Sequence, residues 1–321
     1  MLDILAITVP IYLTIAIGYG LTRRGLFART DMRVLGQFVI NLALPALLFN
    51  ALAQRKLTDI LNGRYLLVYA LGSLVAMGLG LLWARRVARQ DRSTAVFWAM
   101  GMSCPNSGFV GYPIALLVVG PVAGVMLGLN MIVENLLLIP LLLALAESSD
   151  GSGGRWHTVL RQSLLNLARN PMVLGLLAGL AVSALEWQMP SPLARTVTMF
   201  AQASAALSLF VIGGSLAGLH IAGLGRPVAQ IAVGKLLLHP AAMLAVLLTL
   251  EAAGMVPMDP RLRVGVVLTA ASPMFGIFPI LAQKHGHDGL AAAALLGTTA
   301  ASFFTISALL WVFGQVPGWA G

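Results

Sequence analysis

The chain has 321 residues, of which 59% are hydrophobic and only 10% charged, and its mean hydropathy of +0.89 leaves no soluble reading. A single cysteine, Cys104, excludes an intramolecular disulfide and any multi-cysteine metal site. The net charge of +9 does not point to nucleic acid, because the basic residues sit in short segments between apolar stretches, where they set membrane topology.

A membrane-spanning helix needs about 20 apolar residues. Ten stretches qualify, at 4–22, 33–54, 64–84, 94–119, 121–146, 170–187, 195–217, 227–250, 262–283 and 289–313. The first is not a signal peptide: no basic region precedes it, and Thr22-Arg23-Arg24 follows it in place of a small-residue cleavage site. The second carries a polar interruption, Asn41 and Pro45. The fourth is broken at residues 103–113, which include Pro105, Asn106, Ser107, Gly108, Gly111 and Pro113. Proline removes a backbone donor and clashes with the preceding turn, and glycine loosens the chain, so this helix is expected to split. The fifth stretch contains Glu134, with Asn130 one turn before it and Asn135 beside it. In the seventh, Gly213, Gly214, Ser215 and Gly218 fit close helix packing. Lys235 and His239 share a face of the eighth, four residues apart. A second break, Ser272-Pro273-Met274-Phe275-Gly276, interrupts the ninth. Trp83, Trp187, Trp311 and Trp319 lie near span ends, as interfacial anchors do.

The polar stretch from Glu147 to Arg169 reads as a linker between a first unit, 1–146, and a second, 170–321, each with five spans. An odd number of spans per half places the halves in opposite orientations, which is the inverted-repeat condition. Register supports it: Asp91 and Asp259, Pro105 and Pro273, and Gly108 and Gly276 all share an offset of 168 residues. Of the twenty Lys and Arg residues, thirteen fall in odd-numbered loops and six in even-numbered ones, with Lys235 inside a span. The positive-inside rule then places the odd loops, the linker among them, in the cytoplasm and both termini outside.

Irregular backbone inside hydrocarbon is tolerated only when it is buried in protein or lines a polar cavity. Two interrupted helices in corresponding halves are the best sequence pointer to a transporter's binding site. At the first break, Asn106 and Ser107 are good N-caps for the half-helix that continues toward Pro113, and such a start is an anion site. If the second half-helix, starting near Met274, mirrors it, two such ends converge. Glu134, Lys235 and His239 are the ionisable groups out of place in the membrane. A charge there costs at least about 2.5–3.5 kcal/mol, so each is expected to face a cavity or a partner. One reading is a structural Glu134–Lys235 pair joining two helices; the other is a cation or proton site beside the substrate, and Lys235 would also add a full charge to the anion site, with the bound substrate as its partner. His239 precedes Pro240 and serves either that site or a neighbouring carbonyl. Asn41 is either a kink residue or part of the path. Cys104 reads as a small apolar filler, and no residue pattern calls for a metal or a cofactor.

The motifs Asn41-x-x-x-Pro45-x-x-x-Phe49, Pro105-Asn106-Ser107-Gly108-Phe109-x-Gly111-x-Pro113, Phe210-x-x-Gly213-Gly214-Ser215-Leu216 and Lys235-x-x-x-x-Pro240 together resemble the auxin efflux carrier family. Its bacterial members include malonate and other dicarboxylate permeases. The resemblance implies an all-α polytopic protein of ten transmembrane helices in two inverted five-helix repeats, whose fourth and ninth helices cross at Pro105 and Pro273. It further implies a scaffold part and a transport part, an elevator mechanism, a homodimer and a place in a bacterial cytoplasmic (inner) membrane. Asn106 would contact a substrate carboxylate. Met274 stands where an asparagine would make the crossing symmetric, which places most ligand contacts on the first half.

The function expected is therefore secondary transport of a small organic anion, with malonate, another dicarboxylate or an auxin-like acid as substrate and a proton or sodium ion as coupling partner. A passive anion channel is the alternative, although no ring of charge or filter-like repeat is present. An intramembrane enzyme built on Ser215 with His220 or His239 is weaker still, since no His-Glu-x-x-His or paired-aspartate motif occurs.

Overall fold

The computed structural model describes residues 2–55, 62–149, 165, 168–217, 225–283 and 286–315. Over them the chain is helical, with one isolated β-bridge. Lys56, residues 150–164 of the linker, Gly218, His220, Lys284 and Trp319 lie outside the described residues. The helices are α1 Leu2–Arg23, α2 Arg29–Ala53, α3 Gly63–Arg86, α4 Arg92–Ser103, α5 Ser107–Val119, α6 Val122–Ala146, α7 Pro171–Ala184, α8 Ser191–Leu216, α9 Gly225–Ala252, α10 Pro260–Ala271, α11 Phe278–Gln283 and α12 Asp288–Gln315. The last turns of α6 run on to Ser149, into the expected linker.

Seven of these, α1, α2, α3, α6, α8, α9 and α12, are long and apolar enough to cross a membrane. The three other expected spans differ in form. The fourth is split into α4 and α5, and the ninth into α10 and α11. The sixth is α7, a helix of 14 residues. At 1.5 Å per residue α7 is about 21 Å long, short of a hydrocarbon core of about 30 Å.

Helix ends follow the local chemistry. Asn62, Asp91, Asn170 and Asp259 cap α3, α4, α7 and α10 by accepting backbone N–H groups through their side chains. The Thr94 hydroxyl and amide, both donating to Asp91, hold its carboxyl below the usual carboxylate range. Between α5 and α6 the chain reverses at Gly120, whose φ of 71° suits glycine.

Four short π-helical turns punctuate the bundle: Val39–Ala43, Ser107–Gly111, Glu134–Leu138 and Gly234–Leu238. Each runs into the residue before a proline, namely Pro45, Pro113, Pro140 and Pro240. Proline has no N–H to give the carbonyl four residues back, and its ring crowds that carbonyl. A wider turn just upstream accommodates both effects without ending the helix. Asn41, Ser107, Glu134 and Lys235 all sit within these turns.

Small residues set the closest helix contacts. A Cβ on Gly213 of α8 would stand 1.9 Å from the Ile15 carbonyl oxygen of α1, and one on Gly18 would stand 2.2 Å from the Phe210 carbonyl oxygen. Gly175 and Gly179 of α7 approach the Pro45 and Phe49 carbonyls of α2 in the same way, at 2.5 and 2.8 Å. Elsewhere α3 packs on both α4 and α9, and α9 packs on α10. Polar links tie segment ends of like parity together: Ser183 donates to the Arg55 carbonyl at 2.6 Å, and Thr94 meets His287 at 3.4 Å.

Candidate functional site

The two breaks meet. Between α4 and α5 the chain runs extended through Cys104, Pro105 and Asn106, and between α10 and α11 it runs through Ser272, Pro273 and Met274. The segments pair antiparallel: the Asn106 N–H donates to the Pro273 carbonyl at 2.7 Å, and the Phe275 N–H to the Cys104 carbonyl at 3.2 Å. Backbone groups freed by the prolines therefore satisfy one another across the crossing, which is what apolar surroundings require.

Asn106 then starts α5. Its side-chain oxygen accepts the Phe109 N–H at 3.1 Å, and its carbonyl accepts those of Val110 and Gly111 at 3.2 and 2.7 Å. The other end of that side chain, Nδ2, is buried without an acceptor among the described residues, and a Cβ on Gly276 would lie 3.9 Å from it. The residue is only 4% exposed. One face of the crossing thus presents an amide donor beside the positive end of a half-helix. The second half is not the mirror expected of it. Pro273, Met274 and Phe275 stay extended to pair with the first break, so α11 begins only at Phe278. Met274 is fully buried and brings no polar group.

Beside the crossing lie two buried polar chains. Ser107 and Tyr69 both donate to Oε1 of Glu134, the tyrosine at 2.5 Å. One helical turn away, Tyr65 donates to Asn130 at 2.8 Å, and Asn130 faces Thr269 at 3.5 Å. The rings of Tyr65 and Tyr69 are stacked, with centroids 6.1 Å apart. This chain joins α3, α5, α6 and α10. The second chain starts at the Ala270 carbonyl, which lies in the last turn of α10 and so has no intrahelical donor. Lys235 Nζ donates to it at 2.5 Å and lies 3.1 Å from His239 Nδ1, while His239 Nε2 lies 3.3 Å from Ser73. Lys235 Nζ thus lies at the C-terminal end of a half-helix, where the dipole favours a cation.

Glu134 and Lys235 therefore do not form the direct pair that one sequence reading offered. Among the described residues the one ion pair within 4.0 Å is Arg263–Glu251. The reason is local: each buried group finds nearer partners, hydroxyls for Glu134 and a helix-end carbonyl and an imidazole for Lys235. His239 likewise bonds to Lys235 and Ser73, not to a neighbouring carbonyl. Asn41 stands apart, exposed, with its amide donating to the Gln37 carbonyl at 2.8 Å. Cys104 is buried and unpaired in a disulfide, consistent with a filler. Tyr65, Tyr69, Ser73 and Thr269 were not singled out from sequence. The signal was present in α3, where Tyr65, Tyr69 and Ser73 recur every four residues as a polar stripe along an apolar helix.

A helical bundle whose two interrupted helices are hydrogen-bonded at their breaks, with polar side chains gathered around the crossing, defines a polytopic membrane transporter. The chain belongs to the membrane transport protein family, the auxin efflux carriers that its motifs resemble; the family model matches residues 3–312. It is 28% identical to a protein of Rhizobium meliloti named "Putative malonate transporter", over 99% of this chain and 98% of that protein. It is 23% identical to "Uncharacterized transporter YfdV" of Escherichia coli strain K12, over 95% of each. A further "Uncharacterized transporter", from Methanothermobacter thermautotrophicus, is 26% identical over 57% of this chain and 58% of that protein. These names describe transporters and not enzymes.

Proposed function

We propose that the protein is a secondary carrier of small organic anions, with malonate or another short dicarboxylate as the leading substrate class, working by elevator-type alternating access. The observation that carries this reading is Asn106 Nδ2, a buried donor without an acceptor among the described residues, at the crossing of two interrupted helices. A carboxylate bound there would take that hydrogen bond and the free N–H groups at the start of α5, where the helix dipole favours negative charge. The name of the Rhizobium meliloti relative favours malonate among the candidates.

On this reading ten segments cross the membrane as two inverted five-helix repeats, 1–146 and 170–321, joined by the linker at 147–169. The packing supports the repeat: α1 against α8 and α7 against α2 are related by exchanging the halves, and each contact is made by paired glycines against carbonyls. The first two spans of each half would form the scaffold and the remaining three the moving part, in a homodimer in the bacterial inner membrane with both termini outside. Glu134, held by Ser107 and Tyr69, adjoins the proposed site through Ser107 and is the candidate for a coupling proton or sodium ion. Lys235, held at the end of α10 by the Ala270 carbonyl, is the second candidate for that role or for binding the anion.

The test is counterflow in proteoliposomes. Vesicles loaded with unlabelled malonate should accumulate external labelled malonate, saturably, and a pH or sodium gradient should drive net uptake. Flux linear in concentration without counterflow would identify a channel instead.

A further inference from the structure

Before a substrate can reach Asn106 it must enter from one face of the bundle, and one face holds a cavity suited to an acid. It has a volume of about 460 Å³, within the range of small-molecule sites. It opens where the end of α2 meets α5, the start of α6 and Ala201 of α8. Asn50 of α2 and Gln54 and Arg55 just beyond its end line it, with Tyr112 and Leu116 from α5. Among the described residues no carboxylate lies within ion-pair distance of Arg55.

The inner end of the cavity is closed. Tyr112, 6% exposed, also lines the seam that leads past Gly111 and Ala115 to Ser107, Asn130 and Thr269, and that seam has no room for a water molecule. Here α5 packs on α8, and Tyr112, shared by the cavity and the seam, stands between the cavity and the polar chain beside the crossing. A second hollow, of about 500 Å³, lies at the same α5–α6 corner near Arg261, but Tyr112 does not line it.

We infer that the Arg55 cavity is an entry subsite for the anion: Arg55, Asn50 and Gln54 hold a small carboxylate, and Tyr112 separates it from the crossing until α5 and α8 part. A guanidinium offers planar paired donors to a carboxylate. Gln54 Nε2 donates one N–H to Asn50 Oδ1 at 2.5 Å, which leaves its second N–H and the Asn50 amide as further donors, while the apolar wall of Leu47, Ala51 and Leu116 suits a short carbon chain. This rests on the carrier reading above and adds a second, earlier station to it.

The experiment places a cysteine at Leu116 (Leu116→Cys) in a Cys104→Ser background. It follows alkylation by an impermeant reagent, with and without malonate, in proteoliposomes of zwitterionic lipid. The same is done with Asn106→Ala added. Malonate should slow labelling in both, because the entry subsite fills without the crossing. Arg55→Gln should abolish that protection and raise KM for uptake from this face about ten-fold or more, with kcat little changed. Arg261→Gln, a charge change at the neighbouring hollow, should do neither. Protection only while Asn106 is intact would overturn the subsite, as would equal effects of Arg55→Gln and Arg261→Gln. Protection by anionic lipid without any by malonate would also overturn it, assigning the cavity to a headgroup. No protection despite intact malonate counterflow removes the subsite and leaves the carrier standing; no protection and no counterflow removes malonate from both.

Discussion

On the proposed function Asn106 has two separable duties, and substitution distinguishes them. Its Oδ1 caps α5 by accepting the Phe109 N–H at 3.1 Å, while Nδ2 is buried without an acceptor among the described residues. Asn106→Ala loses the cap, which costs about 0.5–2 kcal/mol. It also removes an unsatisfied buried donor, which returns about 1 kcal/mol or more. The net change in stability should stay within about 1 kcal/mol, a shift in melting temperature of no more than about 4 °C. Binding loses a hydrogen bond to a charged group, worth about 1.5–3 kcal/mol, so Kd should rise roughly 10- to 150-fold. Asn106→Ser keeps an oxygen able to cap but has no amide donor, so it should melt like the parent and bind as poorly as Asn106→Ala. The assay is thermal unfolding of the purified protein titrated with malonate, since a ligand of the native state raises its melting point. An unchanged Kd in both variants would remove Asn106 from the site. A fall of more than about 10 °C in both would make it a structural residue of the crossing.

Gly213→Ala should destabilise the protein by about 3 kcal/mol or more, because its Cβ would sit 1.9 Å from a backbone oxygen that only separation of α1 and α8 can clear. Gly20→Ala, with nothing within 4 Å of the added Cβ, should be neutral or mildly stabilising in the same melts. Equal effects of the two would contradict the packing. Lys235→Met and Glu134→Gln should each reduce transport, and their effects on stability should couple by less than about 1 kcal/mol, since the structure gives them no shared hydrogen-bond partner. Recovery of most of the loss in the double variant would restore a direct pair, and full activity of Lys235→Met across a broad pH range would leave that lysine purely structural. In a Cys104→Ser background, a cysteine replacing Gly151 in the linker should be labelled only by reagent that reaches the cytoplasm. Labelling by an impermeant reagent in intact cells would reverse the orientation.

The sequence by itself determined the membrane environment, the approximate places of the seven long helices and the two breaks. Those properties follow from local rules: apolar length, the missing N–H of Pro105 and Pro273, and the capping chemistry of Asn106 and Asp91. It also marked Glu134, Lys235 and His239, because charge is expensive wherever the membrane lies. Only the tertiary structure decided what those groups touch. Glu134 takes hydroxyls from Tyr69 and Ser107, and Lys235 takes a carbonyl from Ala270, partners 65, 27 and 35 residues away in the chain. Pairing of the two breaks is likewise a backbone contact between segments 168 residues apart, and it is why α11 starts late. Arg55 shows the same division: its charge was legible only as a topology signal, because a cavity is formed by several helices and belongs to none of their sequences.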